Sequence, residues 1–248
     1  MEILEHTYTS LCDALKDRYG RGRGDAQAIL RQVHRRGDTR FGEDPSLGRS
    51  PDLARRYERE ITLALPEVVD RLEEGDTTKL LFRLADGATI ESVLVPMAHY
   101  TTICVSSQVG CRMGCAFCQT GKLGLVRQLT TAEIVAQVYT AKMKLGAPVR
   151  NVVFMGMGEP LDNFANLSRA LAVLSDQRGL DIAPRHITVS TVGLGSGIRR
   201  LAALDQPLLN LAVSLNAPDD ALRDRLMPVN RNTPLEELGE ILAAYPLH

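Results

Sequence analysis

The sequence has no tryptophan, and all aromatic residues together make up only 4% of its 248 positions. That is thin for a protein that stacks single-stranded bases on aromatic platforms. It has no apolar run of about 18 residues, which excludes a membrane-spanning helix. Its first twenty residues, MEILEHTYTSLCDALKDRYG, carry acids and no apolar core, so no secretory signal is expected. Net charge is nearly absent: 29 Lys and Arg face 30 Asp and Glu. No global attraction to nucleic acid follows from that balance. The dispersed, even cysteine set of a secreted disulfide framework is missing as well. The five cysteines are Cys12, Cys104, Cys111, Cys115 and Cys118, and four of them fall within fifteen residues. In a reducing cytosol, clustered thiols point to metal or redox chemistry. With neither a membrane span nor a secretory signal expected, a cytoplasmic location is expected. What is present is ordinary for a globular chain, 44% hydrophobic and 24% charged.

Residues 1–75 read as a helical accessory domain. Ala26, Ile29, Leu30 and Val33 recur at helix spacing, as do Ile61, Leu65, Val68, Val69 and Leu72. Between Arg18 and Arg40, seven arginines stand against two acids. They are either a solvated helix face or a phosphate-contacting patch. Residues 76–99 read as a β-hairpin region: apolar residues alternate on both sides of Asp86-Gly87, a pair suited to a tight turn. Strands are expected at 79–85 and 88–95. From residue 100 to 248, short apolar strands alternate four times with helices, among them TTICVSS, RNVVFMG, RHITVST and LLNLAVSL. That alternation predicts an α/β core with a buried parallel sheet and ligands at the strands' carboxyl ends. A closed eight-stranded barrel takes about 250 residues by itself, so the sheet is expected to be open or partial. An open edge calls for a partner or a further segment to cover it.

The strongest chemical signal is Cys111-Arg-Met-Gly-Cys115-Ala-Phe-Cys118, directly after the first strand of this core. Three thiolates at that spacing suit one face of a cubic [4Fe–4S] cluster, which normally takes four cysteines. Three leave one iron open to an outside ligand. The alternative is structural zinc, which wants a fourth protein ligand such as Cys104, His99 or the remote His34. Gly156-Met157-Gly158-Glu159-Pro160 forms a second motif after an apolar strand. Its exposed backbone suits close approach of a ligand, and Glu159 suits an ammonium group. A dinucleotide fingerprint is excluded because no third glycine follows and Pro160 occupies the turn.

Five segments in order carry a resemblance: CVSSQVGC, CAFCQTGKLGLVRQLTTAEIVAQV, VVFMGMGEPLDN, ITVSTVGL and AVSLNAPDDALRDRLMPVNR. Together they resemble the RlmN/Cfr family of radical S-adenosylmethionine (SAM) RNA adenosine methyltransferases, over about residues 79–240. The resemblance implies a partial (βα) radical-SAM barrel of about four units, with a small N-terminal helical domain and a hairpin. It implies that Cys111, Cys115 and Cys118 hold the [4Fe–4S] cluster, whose open iron takes the amino and carboxylate groups of SAM. Gly158, Glu159, Ser190, Ser214 and Asn216 match positions that contact SAM. Glu91 matches the segment carrying a proposed general base, and Cys104 matches the thiol that pairs with a methyl-carrying cysteine. The implied reaction methylates C2 or C8 of an adenine in ribosomal or transfer RNA, with an electron donor such as flavodoxin or ferredoxin.

Three departures bear on those implications. Asn216 replaces a usual histidine and cannot titrate near neutrality. Gln119 replaces a usual alanine beside the third cysteine. No cysteine follows Cys118; the family's last strands, its late Asn contact and its methyl-carrying cysteine are expected beyond residue 248. Two other readings therefore stay open: different radical chemistry, or a shortened copy that binds cluster, SAM or RNA without turnover. A zinc-stabilised RNA-binding module is a weaker fourth.

Overall fold

The computed structural model describes residues 1–204, 206 and 208–246. Asp205, Pro207, Leu247 and His248 of the expected core lie outside the described residues. Three helices open the chain, α1 (Tyr8–Tyr19), α2 (Arg23–Arg31) and α3 (Pro51–Glu60). Then come β1 (Glu67–Glu74), β2 (Thr77–Arg83), β3 (Thr89–Pro96) and β4 (Thr101–Cys104). A small hairpin of β5 (Gln108–Cys111) and β6 (Gly124–Gln128) encloses the short α4 (Gln119–Lys122). The remaining elements alternate: α5 (Thr131–Tyr139), β7 (Val149–Phe154), α6 (Phe164–Ser175), β8 (Ile187–Thr191), α7 (Gly195–Ala202), β9 (Asn210–Val213), α8 (Asp220–Leu226) and α9 (Leu235–Ala243).

The main sheet has seven strands in the order β1-β2-β3-β4-β7-β8-β9. The first four pair antiparallel, whereas β4, β7, β8 and β9 are parallel. The four expected α/β units are therefore present, and the hairpin strands extend the same sheet. One expectation fails: residues 67–74 form a strand, not a helix. Val68 lies opposite Phe82, and Leu72 opposite Lys79. A helix-like spacing of five apolar residues is outweighed by antiparallel pairing with β2, which satisfies the backbone of an otherwise exposed edge.

Local signals elsewhere act as the sequence suggests. Gly87 takes a positive φ of 85°, and its N–H donates to the Leu84 carbonyl at 2.9 Å, closing the hairpin. Thr130 caps α5: its hydroxyl accepts from the Glu133 N–H, while the Glu133 carboxylate accepts from the Thr130 N–H at 2.9 Å.

Strand pairing sorts the sheet into two faces. Ile90, Ile103, Val152, Ile187 and Val189 point one way and are buried. They belong to the same core as Ile134, Val135, Val138, Leu167 and Leu171 of the covering helices. Each such side chain contributes about 1.5–3 kcal/mol of burial. The alternate residues point the other way. Glu91 and Val93 share that inner face; Val93 lies opposite Cys104, Cys104 opposite Val153, and Val153 opposite Thr188. Ser190 follows on the same face, two residues on from Thr188. The sheet thus carries Glu91, Cys104 and Ser190 on one side. No helix is long and apolar enough to cross a membrane among the described residues.

Candidate active site

The cysteine segment begins at β5 and is shaped by the hairpin. A Cβ on Gly110 would lie 1.9 Å from the Gly124 carbonyl oxygen, and φ there is +76°. Only glycine permits this close pairing, which delivers Cys111 to the strand end. Beyond it, the Ala116 N–H donates to the Leu226 carbonyl at 2.9 Å, and the Cys118 N–H to the Cys115 carbonyl at 3.1 Å. Cys115 packs with Met227 and Val229 in a small apolar cluster of its own. The thiol loop is therefore pinned to the segment after α8.

A second turn meets it. Gly158 has φ +100°, and a Cβ there would lie 2.6 Å from the Gln108 side chain. The motif glycine is required by contact with the chain's own residue 108. Gln108 is fully buried; its Oε1 accepts from the Glu159 N–H at 2.8 Å, and its Nε2 donates to Gln128 and Asp162. Arg112 closes this network onto Asp162.

The two loops and the strand ends enclose a cavity of about 320 Å³. Its walls include Cys111, Cys115 and Cys118, then Gly156, Gly158 and Glu159, and finally Ser190 and Ser214. Asn216, Glu91 and Cys104 are not among the lining residues. Asn216 is exposed, with a positive φ of 56°. Glu91 forms an ion pair with Lys79 at 3.0 Å. Among the wall residues not singled out from the sequence are Met113, Phe117, Met155 and Met227. Three are methionines scattered over three segments, and nothing local in the sequence unites them.

The electrostatics of the cavity are unusual. Burial pushes the Glu159 carboxyl up to about 7, against the backbone N–H groups of Val192 and Leu161 that favour its charged form. Burial also pushes the Cys115 thiol up to about 11, helped by repulsion from Cys111 and Cys118. Cys111 is raised by burial too, with Glu159 and Cys118 adding to it. No lysine or arginine forms an ion pair with Glu159 among the described residues. Arg223, fully buried beside this site, donates to the carbonyls of Val192, Ser214 and Leu215 and to Asn230, which fixes the ends of β8 and β9.

Three thiols in one wall suit a metal centre. The described residues hold no three His, Cys, Asp or Glu side chains close enough for a single metal ion. A mononuclear zinc site needs four donors around one ion, whereas a cubane needs each thiolate to reach a different iron. His99 sits in the turn before β4, at the end of that strand remote from the thiols, and His34 lies in the accessory helices against Tyr139. Neither can complete a zinc site. Cys104 lies on the inner face of the sheet, and burial raises its thiol pKa.

A half-open parallel sheet with three cysteines after its first parallel strand defines a radical SAM core. The family model of the radical SAM superfamily matches residues 105–245. A probable dual-specificity RNA methyltransferase RlmN 1 of Protochlamydia amoebophila is 43% identical over 98% of this chain and 67% of its own length. The dual-specificity RNA methyltransferase RlmN of Geobacter sulfurreducens is 46% identical over 92% of this chain and 62% of its own. The crystal structure of a radical SAM methyltransferase from Sphaerobacter thermophilus superposes with a TM-score of 0.87 at 38% identity, covering 99% of this chain and 72% of that one. The chain belongs to the RlmN family of the radical SAM superfamily. It spans about two thirds of the length of these curated relatives, and slightly less for the second.

Proposed function

We propose that this chain houses the SAM-cleaving centre of an RNA methyltransferase acting on an adenine carbon, C2 or C8, of ribosomal or transfer RNA. The observation that carries the reading is the single cavity walled by three thiols, the Gly156–Glu159 turn and the ends of β8 and β9. Cys111, Cys115 and Cys118 would hold a [4Fe–4S] cluster. When bound, that cluster supplies an electron that cleaves SAM reductively. Thiols must lose their protons to bind iron, and burial raises those of Cys111 and Cys115, so loading releases protons. Glu159 is a buried acid without a cation, and the ammonium group of SAM is the complement it lacks. The Gly156–Gly158 backbone borders the methionine part, with Ser190 and Ser214 offering hydroxyls along the strand ends. Glu91 and Cys104 share the inner face, where Glu91 would take a proton from the RNA adduct and Cys104 would serve as the resolving thiol. A flavodoxin- or ferredoxin-like donor supplies the electron.

Anaerobic reconstitution with iron and sulfide should give about four irons per chain. SAM and a reductant should then release 5′-deoxyadenosine, and RNA treated with the protein should gain a methylated adenine by mass. One zinc without sulfide would overturn the cluster. A cluster without 5′-deoxyadenosine points to binding without turnover. Cleavage with unmodified RNA points to different radical chemistry.

A further inference from the structure

Two parts of the proposed site come from distant stretches of chain. Glu91 belongs to β3, and Gly156-Met157-Gly158 follows β7. One side chain joins their backbones. The Ser106 hydroxyl donates to the Glu91 carbonyl at 2.6 Å and accepts from the Met157 N–H at 2.9 Å. It is fully buried. The Met157 carbonyl accepts from the Ser107 and Gln108 N–H groups at 2.8 and 3.2 Å and from the Ser107 hydroxyl at 3.5 Å. A Cβ on Gly156 would lie 2.8–2.9 Å from the Val105 and Ser106 backbone, so the turn rests directly on this segment.

Ser106 is itself clamped. Its N–H donates to Gln137 Oε1 at 2.8 Å, and its carbonyl accepts from Gln137 Nε2 at 2.9 Å. Gln137 is fully buried on α5, donates also to the Glu133 carbonyl, and accepts from the Ser92 hydroxyl at 2.7 Å. The two carbonyls and the N–H group fix which end of the amide faces which partner. The Ser106 peptide can therefore neither rotate nor withdraw without breaking both clamp bonds. A hydroxyl suits the bridge because one oxygen donates and accepts at once.

We propose that Ser106 is a positioning residue, whose hydroxyl sets the spacing between the Glu91 backbone and the turn that cradles the methionine part of SAM. The inference rests on the reading of Glu91 and of that turn given above. Misplacing a base relative to its substrate is costly even at distances of about 1 Å.

The test compares Ser106→Ala with Ser92→Ala in the full chain. Three quantities are read: hydrogen exchange of the Met157 amide, the Kd of SAM on the reconstituted protein, and methylated adenine formed per 5′-deoxyadenosine released. Ser106→Ala should speed Met157 exchange about tenfold and weaken SAM about tenfold, the size of one lost buried hydrogen bond. The product ratio should fall by about tenfold or more. Ser92→Ala removes a bond of the same network but neither Ser106 bridge, and should leave all three near wild type. The inference is overturned by wild-type Met157 exchange in Ser106→Ala, or by equal changes in Ser92→Ala. Should the alanine variant fail to fold, Ser106→Cys keeps the bulk with a weak donor and acceptor. The same faster exchange is then expected, and wild-type protection overturns the assignment. A wild-type chain that takes up no iron and no SAM refutes the reading of the site, while Met157 exchange still decides the bridge.

Discussion

Asp44 and Glu159 are both buried carboxylates, and their surroundings send them in opposite directions. Burial pushes Asp44 up, but the Ser46 hydroxyl and N–H and the Arg31 guanidinium outweigh it and hold the acid at about 2. Glu159 has two backbone N–H groups and no cation, and burial wins. The same contrast runs through the two regions. In the accessory helices Arg18, Arg21, Arg31 and Arg40 are each spent on a carboxylate. At the strand ends an acid and three thiols crowd one cavity without a paired cation. A region whose charges are matched internally is built for stability. One whose charges wait for a partner is built to bind.

Four experiments would break or sharpen this contrast. The largest effect is expected from Cys115→Ala, which removes a thiol from the centre of the loop. Iron and sulfide uptake should collapse, and 5′-deoxyadenosine release with it; near-stoichiometric iron in this variant would refute the role of the loop.

Next comes a matched pair. Glu159→Gln should weaken SAM by about 10–100-fold, since a charge-assisted hydrogen bond is lost. It should not lower the unfolding free energy of the SAM-free chain. Asp44→Asn should do the reverse, leaving SAM affinity alone and costing about 2 kcal/mol in urea unfolding. If both variants lose stability equally, the contrast fails.

His34 gives the third. It is buried, and neither ring nitrogen has a hydrogen-bond partner. Burial lowers its pKa to about 4. Its ordinary value is 6.5, so between 6.5 and 4 the unfolded chain binds a proton that the folded chain refuses. Stability is therefore full above pH 6.5 and falls as pH drops toward 4, by up to about 3 kcal/mol. His34→Phe should flatten that loss in denaturant titrations from pH 7.5 to 4.5. An unchanged slope would assign the loss to other groups.

The smallest effect concerns Arg35 and Arg36, which are exposed and without a carboxylate partner among the described residues. Reversing both should weaken RNA binding and reduce its salt slope by about two. An unchanged slope returns them to a solvated face.

Much of the core was legible because its signals are local. The alternation of short apolar strands with helices follows from spacing. The cysteine loop was legible because its donors lie within eight residues. What was hidden is long-range. The strand nature of residues 67–74 depends on β2, which supplies the hydrogen-bond partners. The β5–β6 hairpin closes around the cysteine loop, and its Gly110–Gly124 contact leaves no mark in either segment alone. Gly158 looked like a cradle for a ligand, but its missing Cβ is demanded first by Gln108. Asn216 matches a contact position by motif; it is exposed, has a positive φ of 56°, and is not among the residues lining the cavity.

The tether between Ala116 and Leu226 has a consequence for how the protein is made. The thiol loop leaves the ribosome well ahead of the strand-end segment that pins it. At ordinary elongation speeds the delay is roughly 5–20 s. During that interval the three cysteines have neither the Leu226 carbonyl nor the Met227 and Val229 packing that shapes their loop. The loop that would hold an inorganic centre therefore takes its final shape only once the segment after α8 has been made.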